Sequence, residues 1–178
     1  PSYVRRFTRG PGEGHPCITG TFVDADEIQG VIDELPPLRQ IPLNTDEMPG
    51  PTGESNRLSR YPRGTILCLG PNLECAERQM RIAQDHGCNV VVVVPGASGA
   101  FAVSGVLERP ALQSLRGIDG VALWSDPEDM ISARQALALR DGPIVPLICD
   151  ETDMEASCVI ERHVCIDTTA AGGNASLL

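Results

Sequence analysis

Lysine is absent from this sequence, and aromatic residues make up only 3% of it. All 14 basic residues are Arg, which excludes a lysine Schiff base and a P-loop lysine as functions of this chain. Because aromatic rings are so few, the core must consist of Val, Leu, Ile and Ala. The net charge of −10 also disfavours nucleic acid and anionic lipid as partners.

Long apolar runs, a signal peptide pattern and C-x-x-C pairs are also missing. No run approaches the roughly 20 residues of a membrane-spanning helix, so we expect no membrane span. The number of cysteines is odd, and several lie in apolar stretches such as TILCLG and VPLICD. This pattern predicts reduced, mostly buried thiols in a cytoplasmic protein. The cysteines are Cys17, Cys68, Cys75, Cys88, Cys149, Cys158 and Cys165.

Four short apolar stretches predict strands at residues 65–70, 89–94, 120–125 and 143–148. The second contains five Val in succession, which indicates burial on both faces and therefore a central parallel strand. Helical patterns lie between these strands, an alternation typical of an α/β fold. We therefore predict a Rossmann-like open, mainly parallel sheet with flanking helices, plus a protruding β-flap and an extended C-terminal tail.

The predicted helices differ in the strength of their signals. Asn72 caps a helix that runs from Leu73 to about His86, with Gly87 just past its end, and Leu73, Ala76, Met80 and Ala83 line its inner face. The sequence SDPED, with Asp126 as cap, begins a second helix that ends near Arg140.

Two further regions have weaker patterns. DADEIQGVIDEL (24–35) reads as a short acidic amphipathic helix, and residues 98–116 form a helical region that Pro110 interrupts. Residues 36–56 contain five Pro and two Gly, which predicts an extended connection.

Sites with a chemical signature are lacking. Neither LGPNLECA nor VPGASGAF contains the G-x-G-x-x-G that a dinucleotide requires, so both are interpreted as ordinary turns. His15, His86 and His163 are isolated, which argues against a metal site. Cys158 and Cys165 are an odd number of residues apart, so they face opposite sides of the strand predicted at 158–167. We therefore predict no catalytic, cofactor-binding or metal-binding residue in this chain.

The sequence finishes on a stretch of small residues that favours no helix and fills no core. We expect it to be ordered by contact with another surface, and the strand before it to be a flap that could pair with another sheet. A disordered terminus is the alternative. The predicted contact residues are Thr168, Thr169, Ala170, Ala171, Gly172, Gly173, Asn174, Ala175, Ser176, Leu177 and Leu178.

Four stretches carry a resemblance to a known family. ERHVCIDTTAAGGNASLL (161–178) resembles the terminal motif of the bifunctional proline utilization A flavoenzymes. GPTGESNRLSRYPRGTILCLGP (50–71) resembles a stretch in the longer members of that family, whereas PSYVRRF (1–7) resembles the end of their aldehyde dehydrogenase domain. RDGPIVPLI (140–148) is similar as well, but residues 10–48 show little resemblance.

The resemblance implies a parent oxidoreductase that converts proline to glutamate with FAD and NAD. It further implies that this chain is a non-catalytic accessory domain, without the nucleophilic Cys and the nucleotide-binding region of the parent. The flap and tail would cover the aldehyde dehydrogenase domain of the same polypeptide and help to close the cavity through which the intermediate passes. A homo-oligomeric parent is compatible with this hypothesis.

The corresponding division of the chain places the end of the catalytic domain at 1–9 and an irregular connection with a short helix at 10–64. The accessory domain follows at 65–156, and the flap strand and tail at 157–178. Two alternatives remain open: a regulatory domain that binds a nucleotide or metabolite, and a small enzyme that uses one of the seven Cys.

Overall fold

The computed structural model describes residues 18–51 and 53–167. Its helices are α1 (Ala25–Asp33), α2 (Leu73–Asp85), α3 (Pro127–Ala138) and the single turn α4 (Met154–Ser157). Its strands are β1 (Asn44–Met48), β2 (Glu54–Pro62), β3 (Thr65–Cys68), β4 (Asn89–Val93), β5 (Ala102–Val103), β6 (Gly120–Ala122), β7 (Leu147–Ile148) and β8 (Val159–Asp167). Two 3-10 turns lie at Arg109–Gln113 and Glu151–Asp153.

Five of the strands form one parallel sheet in the order β5-β4-β3-β6-β7. The chain moves from β3 to one side for β4 and β5, and then to the other side for β6 and β7. All four residues of β3 and the Val residues of β4 are buried, because both faces of the sheet are covered. The predicted α/β class with a parallel sheet is confirmed.

Two layers of helices cover this sheet. On one face, α1, α3 and the turn Arg109–Gln113 pack on alternate strand residues such as Leu67, Val91 and Val121. On the other face, α2 and α4 pack on the intervening residues, among them Ile66 and Val92. Period-2 alternation along each strand thus supplies two apolar cores, as expected for a sheet buried on both sides.

The predicted helix signals are confirmed at α1, α2 and α3. Asn72 Oδ1 accepts a hydrogen bond from Cys75 N at 2.8 Å, and Asp126 Oδ1 accepts one from Asp129 N at 2.9 Å. Gly87, directly after α2, has φ +74°, the left-handed conformation that ends a helix at little cost for Gly. These caps show that local side chain to backbone bonds set the helix boundaries.

Two predictions of secondary structure are wrong. Residues 98–116 contain no α-helix; they form β5 and the 3-10 turn at Arg109–Gln113, because the Val92 N–H donates to Phe101 O and draws this segment into the sheet. Residues 36–56 are not wholly an extended connection, since β1 and the start of β2 lie there. The region 10–64, predicted as an irregular connection, therefore contains the paired strands β1 and β2. The sequence of β1 has no hydrophobic alternation that would predict a strand.

The second sheet is antiparallel, with the order β1-β2-β8, and is called the flap sheet below. β2 and β8 pair over nine residues, from Glu54 opposite Asp167 to Pro62 opposite Val159. At its base, the Arg63 N–H donates to Cys158 O at 2.8 Å, which continues the β2–β8 pairing by one hydrogen bond. In the described part of the chain, no helix is long and apolar enough to span a membrane.

Candidate functional site

The first candidate site is the carboxyl edge of the parallel sheet, between β3 and β6. In open α/β sheets, ligands bind where neighbouring strands continue in opposite directions across the sheet, and here that point is the β3–β6 pair. The loop after β3 contains Gly70, and Trp124 and Ser125 follow β6. The Trp124 N–H donates to Gly70 O at 2.9 Å, so the two loops are in direct contact.

A dinucleotide at this edge would need free backbone N–H groups for its pyrophosphate. The Gly70 N–H instead donates to Gln79 Oε1 at 3.1 Å, and Gln79 Nε2 donates back to Gly70 O at 2.9 Å. Gln79 is fully buried on α2. One backbone N–H of this loop is therefore already bound by a buried side chain of the protein itself.

Gln79 is also a residue that sequence reasoning missed. The predicted inner face of α2 consisted of Leu73, Ala76, Met80 and Ala83, but Leu73 is 36% exposed and Gln79 is buried between the two Ala positions. Met80 packs at the margin of the core. The available signal was the 76–79–83 spacing, which places a polar residue on the buried face.

The second loop of this edge, VPGASGAF after β4, forms a turn with its own side chain partner. Gly96 has φ +82°, and its N–H donates to Ser104 Oγ at 2.9 Å. The Ala97 N–H donates to Val94 O at 3.1 Å. The N–H groups of Gly70, Gly96 and Ala97 in these two loops therefore already have protein partners.

Two polar atoms at the same edge have no hydrogen-bond partner among the described residues. They are Trp124 Nε1 and Ser125 Oγ, in side chains that are 7% and 1% exposed. A buried donor without a partner is unfavourable, so these atoms are the groups at this edge with capacity for a further hydrogen bond.

The acidic cluster SDPED serves the fold of α3, as its interpretation as a helix start predicts. Asp126 caps the helix, and the carboxylate of Asp129 accepts from Arg109 Nε at 2.7 Å and from Arg109 Nη2 at 2.9 Å. Arg109 Nη1 also donates to Leu107 O at 3.0 Å. The pair is almost fully buried, and sequence reasoning missed Arg109 because it lies 20 residues from its partner.

No group of His, Cys, Asp or Glu in residues 18–51 and 53–167 is arranged to hold a metal ion. His86 lies at the end of α2, where its Nδ1 is 2.8 Å from Ile82 O, and His163 is exposed on β8. His15 lies outside the described residues. The two described histidines are thus on different parts of the fold and share no site.

The second candidate site is the flap sheet, whose surface is open on both faces. Residues 161–167 of β8 are all exposed, and β8 is an edge strand of this sheet. Val164 and Ile166 lie on one face and are 51% and 49% exposed; Met48 of β1 lies on the other and is 43% exposed. Val164 and Ile166 are thus neighbouring apolar side chains on an exposed face, and this face is a candidate contact surface.

Ion pairs and a ring contact hold the flap sheet in register. Arg60 donates to Asp46 Oδ2 and to Glu161 Oε1, each at 3.1 Å, and so links all three strands. The guanidinium of Arg162 lies 4.5 Å from the ring centroid of Tyr61. These contacts are partly exposed, so each contributes less than about 1 kcal/mol.

The predicted tail contacts at 168–178 lie outside the described residues, as do residues 1–9. β8, which precedes the tail, ends where Asp167 pairs with Glu54. The described strands of the two stretches that resemble the same family, β2 and β8, thus lie side by side in the flap sheet.

Comparison with known proteins finds relatives over most of the chain. The chain is 30% identical over 143 residues to the bifunctional protein PutA of Escherichia coli, and 28% identical over 147 residues to that of Salmonella typhimurium. Each match covers 74% of this chain but only 11% of the relative, so the chain spans about a tenth of the curated relatives. No family model matches.

Solved structures give a related result. A point mutant of proline utilization A from Bradyrhizobium japonicum matches 60% of this chain and 13% of its own, with 30% identity and a TM-score of 0.48. A putative aldehyde dehydrogenase from Burkholderia cenocepacia matches 68% of this chain and 28% of its own, with 18% identity and a TM-score of 0.45. This chain is homologous to a part of the bifunctional PutA proteins.

Proposed function

We propose that this chain is a non-catalytic, carboxy-terminal part of a bifunctional enzyme that oxidises proline to glutamate. Its flap sheet and residues 168–178 cover an aldehyde dehydrogenase part of the same polypeptide. The observation that carries this proposal is the exposure of Val164, Ile166 and Met48 on the two open faces of the flap sheet. A three-stranded sheet gains stability from an apolar covering on a face, which a neighbouring domain would supply.

The assignment as non-catalytic is supported by the carboxyl edge of the parallel sheet. Gln79 takes the Gly70 N–H that a cofactor phosphate would need. In the parent enzyme, FAD and NAD would therefore be bound by other parts of the polypeptide. The chain keeps the α/β scaffold, and its contribution is the surface that this scaffold carries.

The physical role of such a lid is confinement of a small intermediate. A product released from one active site into a closed cavity stays at high local concentration near the second site, by the effective-concentration argument for tethered systems. An open cavity would let the same molecule diffuse into the cytoplasm, where we place the parent enzyme. The lid thus raises coupled flux without contact with a reacting atom.

Deletion of residues 168–178 in the parent enzyme tests the role of the tail. We expect the flux from proline to glutamate to fall several-fold more than proline oxidation, because only the coupled reaction depends on the closed cavity. Both rates are measured on the same preparation. Reduction of a dye acceptor reports proline oxidation, and reduction of NAD reports the complete conversion of proline to glutamate. An equal loss of both activities would point to misfolding and contradict the proposal.

The flap face is tested separately with Val164→Asp/Ile166→Asp. Charges at these positions should weaken contact with an apolar partner and introduce a lag in NAD reduction from proline. Ile144→Asp is the matched control, because Ile144 is 95% exposed but lies outside the flap sheet. If the control introduces the same lag, or the double variant introduces none, the flap sheet is not the covering surface.

A second candidate function, a regulatory domain for a small metabolite, is favoured by the unpartnered atoms Trp124 Nε1 and Ser125 Oγ. If the small metabolite is a nucleotide, calorimetric titration of the chain with NAD distinguishes a regulatory domain from a non-catalytic lid. We expect no binding below millimolar concentration, because the loop after β3 lacks the glycine fingerprint and its Gly70 N–H is already bound by Gln79. Micromolar binding would reject the non-catalytic lid as a complete description and support the second candidate.

A further inference from the structure

Two cysteines meet at the junction of the two sheets. Cys88 immediately precedes β4 of the parallel sheet, and Cys158 immediately precedes β8 of the flap sheet. Their side chains are 6% and 0% exposed and belong to the same apolar cluster beneath α2. Although 70 positions separate them along the chain, Cys88 Sγ donates to Cys158 O at 3.2 Å.

The backbone holds both cysteines against the segment that connects β2 to β3. The Cys158 carbonyl accepts the Arg63 N–H at 2.8 Å, and the Asn89 N–H, next to Cys88, donates to Gly64 O at 3.0 Å. Residues 63 and 64 thus lie between the two cysteines as the chain passes from one sheet to the other. This arrangement fixes the two side chains in a common site that neither sheet would form alone.

The pKa values of the two thiols are shifted in opposite directions. Interaction with the Cys158 side chain lowers the pKa of Cys88 to about 6, whereas interaction with Cys88 and burial raise the pKa of Cys158. Burial raises the pKa of Cys68, in the same cluster, and those of Cys75 and Cys149. Cys88 is therefore the sulfur of this cluster that most readily becomes a nucleophile.

We propose that Cys88 and Cys158 are a redox modification site, which forms a reversible disulfide between the parallel sheet and the flap sheet. This inference goes beyond the proposed function and does not depend on it, since both sulfurs lie in the core of this chain. Its consequence is mechanical: the bond ties the first residue before β8 to the first residue before β4, and so fixes the base of the flap sheet.

A small peroxide is an oxidant that suits so closed a site. The Cys88 thiolate attacks one oxygen of hydrogen peroxide and releases hydroxide, which takes up a proton to become water. The sulfur of Cys158 then attacks the resulting sulfenic acid, loses its proton, and displaces a second water as the S–S bond forms. Two thiols lose two electrons in total, and one peroxide gains them; a thiol reductant reverses the step.

Peptide mapping of the folded wild-type protein tests the proposal without any substitution. The protein is treated with hydrogen peroxide, unfolded, alkylated and digested, and cross-linked peptides are identified by mass spectrometry. We expect the peptide that joins Cys88 to Cys158 to be the main cross-link, and dithiothreitol to abolish it. A main cross-link through Cys68, or oxidation confined to the exposed Cys165, would overturn the proposal.

A second measurement follows the mechanical effect. Trypsin cleaves after exposed arginines, and Arg162 lies on the exposed part of β8. We expect oxidation to slow cleavage after Arg162 several-fold and to raise the midpoint of thermal unfolding by several degrees. Cys158→Ala should lose both effects, whereas the control Cys149→Ala, a cysteine outside the pair, should keep them. Equal cleavage rates of the oxidised and reduced wild-type protein would contradict the proposed tie.

Discussion

The parallel sheet and the flap sheet of this chain contrast in how they bury their residues. In β3 all four residues are buried, whereas in β8 residues 161–167 are all exposed. The first sheet finds its covering within the chain, in two helical layers on opposite faces. The second has no such covering among the described residues. The same sequence therefore contains one sheet that is buried on both faces and one that is largely exposed.

The largest difference between the two sheets is expected when one buried and one exposed Val are each replaced by Asp and the free energies of unfolding are compared. Val91→Asp places a carboxylate in the centre of the parallel sheet, at a side chain with no exposed surface, and should prevent folding. Val164→Asp, in β8, should change the free energy of unfolding by no more than about 0.5 kcal/mol, as is usual for surface positions. Urea denaturation followed by circular dichroism measures both. Comparable losses at the two positions would abolish the contrast.

The ion pairs of the two regions should differ next. Arg109→Met leaves the buried carboxylate of Asp129 without its partner and should cost about 3–5 kcal/mol in the free energy of unfolding. The double variant Arg109→Met/Asp129→Leu should recover much of this loss, because no unpaired charge then remains. Chemical denaturation of the single and double variants tests the expectation, and a double variant no more stable than the single one would refute it.

A smaller loss is expected at the residue that occupies the carboxyl edge. Gln79→Met keeps the size of the side chain but leaves the Gly70 N–H without its acceptor, which should cost about 1–3 kcal/mol. Gln84→Met is the matched control on the exposed side of the same helix and should have little effect. If the two variants melt at the same temperature, Gln79 does not hold the loop after β3.

The smallest effect is expected in the flap sheet itself. Arg60→Met removes the contacts to Asp46 and Glu161, both of which are partly exposed, and should destabilise the protein by less than about 1 kcal/mol. Thermal unfolding at low and high salt measures this contribution, since salt screens exposed pairs. A loss as large as that of Arg109→Met would mean that the flap sheet is part of the cooperative core.

The fold of the parallel sheet could be predicted because its signals are local. The Val run of β4 and the caps Asn72 and Asp126 each specify an element with little help from distant residues. β1 could not be predicted, since NTDEM has no apolar alternation and becomes a strand only through its pairing with β2. Likewise β5 is a strand because β4 lies beside it.

The candidate site was predicted only in part, for the same physical reason. The lack of a glycine fingerprint at Gly70 is visible in the sequence itself. That Gln79 bonds this glycine, and that Cys88 meets Cys158 across 70 positions, depends on the packing of α2 and on the junction between the sheets. Contacts of this kind have no spacing signature, because the fold and not the local chain brings the atoms together.

The nine-residue ladder between β2 and β8 has a consequence for the architecture of the chain. Two antiparallel neighbours of this length are ordinarily the arms of a hairpin, joined by a short turn. Here residues 63–158, with most of the α/β body, stand in the place of that turn. The body is thus an insertion into a β-ribbon, and the two chain segments that enter and leave it lie side by side at the ribbon's base.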